Sequence, residues 1–215
     1  MSTIGFLHTA DVHRATFTAL VDELAPGART HHVVDTSLLA DARAQGTVDD
    51  ALRARLLTRL RDVADDSDVV VCTCSTISGE AEAFANLLDV PIIRIDRPMA
   101  EKAIACGSRL AVVAALASTI APTTALLREV AGSRGVALQL SEYVCSDAWI
   151  HFEAGDTDRY RQSIVSTIDA IPGPVDAIVL AQASMASAVG QCRSDVPVLS
   201  SPRLAVEHAL QVIGV

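Results

Sequence analysis

The segment DVVVCTCS, from Asp68 to Ser75, is matched by DAIVLAQA, from Asp176 to Ala183, 108 positions later. Each segment begins with aspartate, continues as an apolar run of the length of a buried strand, and ends in small or polar residues. A second pair, ATFTALV from Ala15 and APTTALL from Ala121, lies 106 positions apart. The shared order and the nearly equal spacing indicate an internal repeat, so the chain is predicted to contain two similar halves.

Short apolar runs alternate with longer helical patterns along the chain, which predicts βα units around parallel sheets. Between residues 48 and 64, Leu52, Leu56 and Leu60 fall on one helical face, as in an amphipathic surface helix. We therefore predict an α/β fold of two pseudo-symmetric Rossmann-like halves with mainly parallel sheets and the active-site cleft between them. The predicted strands are Ile4–Leu7, Thr30–Val34, Val69–Cys72, Ile92–Ile95, Leu110–Ala114, Ala137–Glu142, Ala177–Leu180 and Val198–Leu199.

The composition argues against several classes of protein. The 215 residues are 50% hydrophobic, enough to bury a full core without disulfides or metals. The net charge of -9 and the 3% of aromatic residues are not typical of a nucleic-acid binder, so no nucleic-acid partner is expected. Charged residues interrupt every apolar run, which argues against a membrane span. The five scattered cysteines and the lack of a secretion signal pattern indicate a cytoplasmic protein.

Two strand ends carry the candidate chemistry. The repeat aligns Cys74 in the first half with Gln182 in the second. Ligands of parallel α/β sheets bind outside the carboxyl ends of the strands, so these side chains are expected on opposite walls of one cleft. Cys74 precedes a predicted helix, whose peptide N–H groups should lower the pKa of its thiol and make it reactive. Cys72 lies one strand step further inside and is predicted to pack in the core.

The spacing of ligand-type residues argues against a metal centre. One residue separates Cys72 from Cys74, whereas zinc sites use two to four, and the other three cysteines are isolated. A redox disulfide, which two intervening residues would favour, is a minor alternative. The histidines without a spacing that suggests a shared site are His31, His32, His151 and His208.

Hydroxyl residues in two loops have two open interpretations. Ser75 and Thr76 can cap a helix that begins near Ser78, and the same helix start can hold a substrate carboxylate. Ser118 and Thr119 offer the matching anchor in the second half. Both roles can coexist.

The loop after the first strand is also polar. His8, Thr9 and Asp11 are expected to face the cleft, where Asp11 can orient a substrate amine or a base. Solvated loop polarity is an equal alternative for these residues.

Three short motifs, taken in order, resemble the aspartate/glutamate/hydantoin racemase superfamily. Cys74-Ser75-Thr76 is similar to the first-half cysteine motif of that family. The segment VLAQASMA, from Val179 to Ala186, is similar to the second-half motif of hydantoin-type members, where a cysteine follows the strand. The tail VPVLSSP, from Val196 to Pro202, resembles the closing strand and loop. The resemblance covers essentially the whole chain.

The resemblance implies a homodimeric enzyme that needs no cofactor and acts on a small-molecule carboxylate. It implies a first half of residues 1–96 plus 197–215 and a second half of residues 97–196. In such enzymes two cysteines face each other across a carbon next to a carboxylate, one removing a proton and the other delivering one. Gln182 replaces the second cysteine, and an amide neither gives nor takes a proton at neutral pH. The implied site comprises Cys74 and Gln182 as catalytic residues, with His8, Asp11, Ser75, Thr76, Ser118, Thr119, Ala183 and Ser184 as substrate-binding residues.

Three reactions fit an enzyme with one thiol. Decarboxylation of a malonate-like acid needs one proton donor, and cis–trans isomerisation needs one nucleophilic thiolate, although the family uses a partner cysteine there. Racemisation needs another group on the second face, such as His8, Asp11 or a water held by Gln182. The alternative is a catalytically silent carboxylate-binding protein of the same fold.

Overall fold

The computed structural model describes residues 2–215. Within this range the eight strands are β1 to β8 in chain order, Thr3–His8, Arg29–Val34, Val69–Cys72, Ile92–Arg94, Arg109–Ala114, Gln139–Val144, Ala177–Leu180 and Val198–Leu199. The nine α-helices of the same range are α1 to α9, His13–Leu24, Thr36–Gln45, Asp50–Ala64, Ser78–Ala83, Arg97–Cys106, Ile120–Ser133, Ala148–Glu153, Thr157–Asp169 and Ser201–Val212. Strands and helices alternate along most of the chain, as the sequence predicts.

The strands form two four-stranded sheets in which every pairing is parallel. The first sheet has the order β2-β1-β3-β4 and the second the order β6-β5-β7-β8. In the first sheet Leu7 pairs with Cys72, and in the second Val113 pairs with Leu180. The predicted α/β fold with two pseudo-symmetric halves is confirmed.

The two sheets form because their central strands are mainly apolar. Every residue of β1, β3 and β7 is buried, as expected for strands with helices on both faces. Helix α3 packs its predicted apolar face, including Leu52, Leu56 and Leu60, into the core of the first half, and each such leucine contributes roughly 2 kcal/mol by burial. The helix begins where the Asp49 carboxylate accepts a hydrogen bond of 2.8 Å from Leu52 N–H.

Strand β6 lies two residues later than predicted, because the turn that closes helix α6 extends to Val136. Gly135 has a φ of 67°, and Val136 N–H donates to Ala131 O at 2.9 Å, which closes the helix in a left-handed turn. Pairing starts only at Gln139, opposite Arg109. The shift brings Cys145 to the first position after the strand.

The chain divides into two compact units. The first runs from the amino terminus to Ile95 and resumes with Pro202–Val215, and the second is Asp96–Ser201. Placing residues 197–201 in the first half is wrong, because Val198 and Leu199 pair with Ile178 and Val179 of the second sheet. Most of α9 belongs to the first unit, where Arg203 forms an ion pair of 2.6 Å with Glu23 of α1. Within residues 2–215 no helix is both long enough and apolar enough to cross a membrane.

Candidate active site

Cys74 lies in the turn between β3 and α4 and is 8% exposed. The Thr9 hydroxyl and the backbone N–H groups of Thr76 and Ile77 lie near enough to its sulfur to favour the thiolate and so to lower the pKa of the thiol. Its carbonyl oxygen accepts from Ile77 N–H at 3.1 Å and from Ser78 N–H at 2.9 Å. The backbone N–H groups of this turn are therefore directed at the sulfur or the carbonyl oxygen of Cys74.

The expectation that the helix start lowers the pKa of Cys74 is wrong. Burial raises the pKa of the thiol, and this effect exceeds the opposing hydrogen bonds from Thr9, Thr76 and Ile77. Helix α4 has only six residues, and desolvation disfavours the thiolate more than its N–H groups favour it. In the free protein Cys74 is a protonated thiol at neutral pH.

The capping role considered for Ser75 and Thr76 is wrong. Ile77 occupies the N-cap of α4 without a side-chain hydrogen bond, because the free N–H groups already reach Cys74. Ser75 is buried beside them. The Thr76 hydroxyl lies near enough to the sulfur to favour the thiolate, yet within residues 2–215 it has no partner at full hydrogen-bond geometry. A role of Ser75 and Thr76 in substrate binding stays a prediction.

His8, at the end of β1, is fully buried and has two hydrogen-bond partners. Its Nδ1 lies 2.8 Å from the Thr73 hydroxyl, and its Nε2 lies 2.8 Å from His32 Nδ1. His32, to which the sequence analysis assigns no chemistry, is therefore in direct contact with a candidate site residue. Residues 24 positions apart meet because β1 and β2 are neighbours in register, and no local spacing in the sequence reveals such a pair.

The other polar residues of the first loop have opposite environments. Thr9 is 7% exposed and donates to Cys74, a role that its sequence context does not reveal. Asp11 has an 83% exposed carboxylate that reaches Arg14 Nε at 4.0 Å, an arrangement typical of a solvated loop. A substrate-orienting role of Asp11 stays a prediction.

Gln182, the counterpart of Cys74 in the second unit, is 7% exposed and directs its side-chain oxygen into the loop after β5. The oxygen accepts from Ala115 N–H at 2.7 Å and from Leu116 N–H at 3.1 Å, and it lies 3.5 Å from the Thr119 hydroxyl. Backbone N–H groups can only donate, so this contact fixes the orientation of the amide. Gln182 holds the loop in place through an acceptor oxygen.

The remaining predicted substrate-binding residues lie in the second unit. Ser118 is exposed, whereas Thr119 is buried and donates to Leu116 O at 2.7 Å. Ser184 shares a hydrogen bond of 2.6 Å with the Tyr160 hydroxyl, and Ala183 is buried next to Gln182. Their binding roles stay predictions.

A cavity of about 590 Å³ in the second unit lies apart from these residues. It opens beside the end of β6, and its walls include Cys145, Asp147, His151, Arg159 and Thr167. Burial raises the pKa of Cys145, and the Thr167 side chain partly opposes this effect by hydrogen bonding. Across residues 2–215 there is no group of three or more His, Cys, Asp or Glu side chains that could hold a metal ion.

Residues 4–209 match the family model of the Asp/Glu/hydantoin racemases. The chain belongs to this racemase family. The predicted resemblance is confirmed over nearly the whole sequence, and the family and fold make the protein a racemase-type enzyme. Among curated proteins, no sequence match was found.

Solved structures of racemases share the fold at low sequence identity. Glutamate racemase RacE1 from Bacillus anthracis is 18% identical, with a TM-score of 0.69 over 99% of this chain and 83% of the other. Aspartate racemase from Picrophilus torridus is 13% identical, with a TM-score of 0.71 over 100% and 95%. Allantoin racemase from Pseudomonas fluorescens is 18% identical, with a TM-score of 0.65 over 99% and 92%. At these identities the likeness concerns the fold.

Proposed function

We propose that Cys74 is the single proton-transferring thiol of this racemase-type enzyme. It acts at the carbon next to a carboxylate of a small acid, without a metal or an organic cofactor. The reaction that one protonated thiol supports best is the decarboxylation of a malonate-like acid. The observation that carries the proposal is the ring of hydrogen-bond donors around the buried Cys74 sulfur.

The chemistry requires one proton and no second base. The bond between the central carbon and one carboxylate breaks, CO2 leaves, and the electron pair remains on the enediolate. The S–H bond of Cys74 then breaks and its proton goes to that carbon, which gives a monocarboxylate. The thiolate regains a proton from water.

Two features of the turn support the thiol as a proton donor. Burial raises the pKa of Cys74, so the proton is present at neutral pH. The Thr9 hydroxyl and the N–H groups of Thr76 and Ile77 are already directed at the sulfur, and they stabilise the thiolate as it forms. The surroundings of Cys74 thus keep the thiol protonated before the transfer and stabilise the thiolate after it.

Gln182 supports a reaction with proton delivery to one face. Its amide does not titrate, and its oxygen is already bonded to the N–H groups of Ala115 and Leu116. A lone Cys74 should therefore give one enantiomer from a prochiral acid.

The second candidate is a carboxylate-binding protein without catalytic activity. The structural use of the Gln182 oxygen favours it, because that position supports a loop instead of moving a proton. The two candidates differ in whether Cys74 exchanges hydrogen with a substrate carbon.

The test is a screen of substituted malonates, amino acids and hydantoins in heavy water. Deuterium uptake and the enantiomeric ratio of the product are followed by NMR and chiral chromatography. We expect a singly deuterated product of one hand, lost in Cys74→Ser and retained in Cys106→Ser, which changes an exposed cysteine. Racemic product from the native protein would overturn the one-thiol mechanism. Saturable binding without deuterium uptake would support the silent binding protein.

A further inference from the structure

Four side chains of the first unit form a continuous hydrogen-bonded series, named here the histidine chain: Thr18, His32, His8 and Thr73. Thr18 Oγ1 lies 3.0 Å from His32 Nε2, His32 Nδ1 lies 2.8 Å from His8 Nε2, and His8 Nδ1 lies 2.8 Å from Thr73 Oγ1. Thr73 Oγ1 donates to Leu7 O at 3.0 Å. The series joins α1, β2, β1 and the turn that carries Cys74.

The last hydrogen bond determines the direction of all the others. Thr73 has one hydroxyl hydrogen and gives it to Leu7 O, so it must accept from His8 Nδ1–H. Because burial lowers the pKa of both imidazoles and keeps them neutral, His8 Nε2 is then an acceptor and receives the Nδ1–H of His32, whose own Nε2 accepts from the Thr18 hydroxyl. Both imidazoles are neutral, each with its hydrogen on Nδ1.

The surroundings keep both rings in this neutral state. His8 is stacked against Phe6 and His32, and burial together with the charge of His32 lowers its pKa to about 3. Burial lowers the pKa of His32 to about 4. The nearby groups that also disfavour protonation are His13 and Arg14 on the α1 side and His31 on β2.

The histidine chain ends next to the two residues that form the sulfur contact. His8 precedes Thr9, whose hydroxyl donates to Cys74, and Thr73 precedes Cys74 itself. The hydrogen bond from His8 to Thr73 is thus a brace between the neighbours of the donor and of the acceptor. His32 fixes the tautomer of His8 that this brace needs.

We propose that His8 and His32 are positioning residues, which hold the Thr9 hydroxyl on the Cys74 sulfur through Thr73. This inference rests on the proposed role of Cys74 in proton transfer. The histidine chain does not contact the sulfur, and its effect passes through the backbone on either side of the brace. Its loss should raise the pKa of Cys74, because the thiolate then loses a well-placed donor.

The first experiment measures the pH midpoint of Cys74 alkylation by iodoacetamide in a Cys106→Ser background, with the labelled peptide identified by mass spectrometry. Thr73→Val removes the acceptor of the brace, and Thr73→Ser retains it. We expect the Val variant to raise the midpoint by about 1 pH unit, the scale of one charge-assisted hydrogen bond, and the Ser variant to match the parent. An unchanged or lowered midpoint in Thr73→Val would overturn the proposal.

A double substitution separates positioning from a general loss of structure. Thr9→Val removes the donor itself and should raise the midpoint by at least as much as Thr73→Val. In the Thr9→Val background, Thr73→Val should move the midpoint no further, because the contact that it positions is already gone. Additive shifts would show that Thr73 acts on the sulfur by another route and would overturn the inference.

His32 provides a second test if Thr73→Val fails to fold. His32→Asn keeps an N–H donor close to the Nδ1 position, whereas His32→Phe keeps an aromatic ring and has no donor. We expect the midpoint to rise only in the Phe variant, and equal midpoints in the two would overturn the inference. Alkylation needs no turnover, so an inactive protein can confirm the positioning role while the proposed reaction fails.

Discussion

The two units are alike at the amino ends of their central strands and different at the carboxyl ends. In the first unit Thr3 N–H donates to Asp68 Oδ2 at 2.7 Å, and Asp68 N–H donates to Thr3 O at 2.9 Å. In the second unit Arg109 N–H donates to Asp176 Oδ2 at 2.8 Å, and Asp176 N–H donates to Arg109 O at 2.7 Å. The same reciprocal pair starts both sheets.

At the carboxyl ends of β3 and β7, one equivalent backbone hydrogen bond to the neighbouring strand is still present in both units. Thr73 N–H donates to Leu7 O in one unit and Ala181 N–H donates to Val113 O in the other, at 3.0 and 2.9 Å. The next residue is Cys74 in the first unit and Gln182 in the second. The backbone N–H groups that face the cysteine sulfur belong to its own turn, at Thr76 and Ile77, whereas those that face the glutamine oxygen belong to the loop after β5, at Ala115 and Leu116.

The strand pairings and the backbone contacts are the same in the two units. The units differ in the side chain that follows these contacts, Cys74 in one and Gln182 in the other. Both positions place an acceptor atom against the loop after the first strand of their sheet. Only the thiol can also release a proton under mild conditions. One shared backbone geometry can therefore serve the proposed proton transfer in one unit and loop support in the other.

Substitutions of Cys74 and Gln182 should have the largest effects, on turnover in the first case and on stability in the second. Cys74→Ser should lower turnover by about 10²–10⁴-fold, the usual contribution of a positioned acid or base, with little change in stability. Gln182→Ala should mainly destabilise the second unit, by about 1–3 kcal/mol for each buried N–H left without an acceptor. Steady-state kinetics and urea unfolding of both variants provide the measurement.

Cys72→Ser is the matched control for the first of these changes. It buries a hydroxyl in an apolar core and should cost about 1–3 kcal/mol of unfolding free energy while the folded fraction keeps its turnover. Equal losses of turnover in the two cysteine variants would show that the sulfurs act together and that the assignment to Cys74 alone is wrong.

Acid should loosen the first unit before the second. Burial lowers the pKa of His8 to about 3 and that of His13 to about 4, below an ordinary value of 6.5. The unfolded chain then binds protons that the folded unit excludes, so stability is full above pH 6.5 and falls as the pH drops toward 4. Each excluded proton contributes about 1.4 kcal/mol per pH unit.

Hydrogen exchange at pH 7 and pH 5 can localise this effect. The positions equivalent to His8 and His32 in the second sheet are Ala114 and Glu142 by strand register. Amides of β1 should lose protection at pH 5, and those of β5 should retain more of it. Equal losses in both strands would contradict a histidine origin.

Gln182→Cys should bring a second thiol to the divergent position. The N–H groups of Ala115 and Leu116 that now bond the amide oxygen would face the new thiol as those of Thr76 and Ile77 face Cys74, and the two positions are equally buried, so the pKa values of the two thiols should agree within roughly 1 unit. The alkylation midpoints of the two cysteines in one variant give a direct comparison.

The smallest expected difference between the two units is in the loss of Tm when the aspartate at the amino end of β3 or β7 is substituted. Asp176→Ala and Asp68→Ala should both lower Tm, and the Asp176 change should lower it by a few degrees more, because Asp176 also accepts from Ser108 N–H and pairs with the Arg109 guanidinium. Thermal melts at pH 7 measure the difference. The reverse order would show that the two pairs are not energetically alike.

Much of the fold could be predicted from the sequence, since parallel strands buried on both faces leave apolar runs of typical length. The repeat of Asp68–Ser75 in Asp176–Ala183 locates both strand ends that matter. The start of β6 was beyond this reasoning, because Gly135 and Val136 close the preceding helix through backbone geometry that no apolar pattern reveals.

The candidate site was less accessible to sequence reasoning, because its properties depend on distant contacts. The pKa of Cys74 is set by burial and by a hydroxyl from another loop, so the local motif indicated the wrong direction. The contact of His8 with His32 depends on strand register. The bonding of the Gln182 oxygen depends on the position of a loop 66 or 67 residues away.

The return of α9 to the first unit has a consequence for the order in which the protein is made. All residues of the second unit, Asp96–Ser201, leave the ribosome before the last 14 of the first, Pro202–Val215. Ala205, Val206 and Ala209 of α9 are fully buried, so the first unit lacks part of its core until α9 has been made. During synthesis the second unit can thus fold before the first unit, because the first unit still lacks α9.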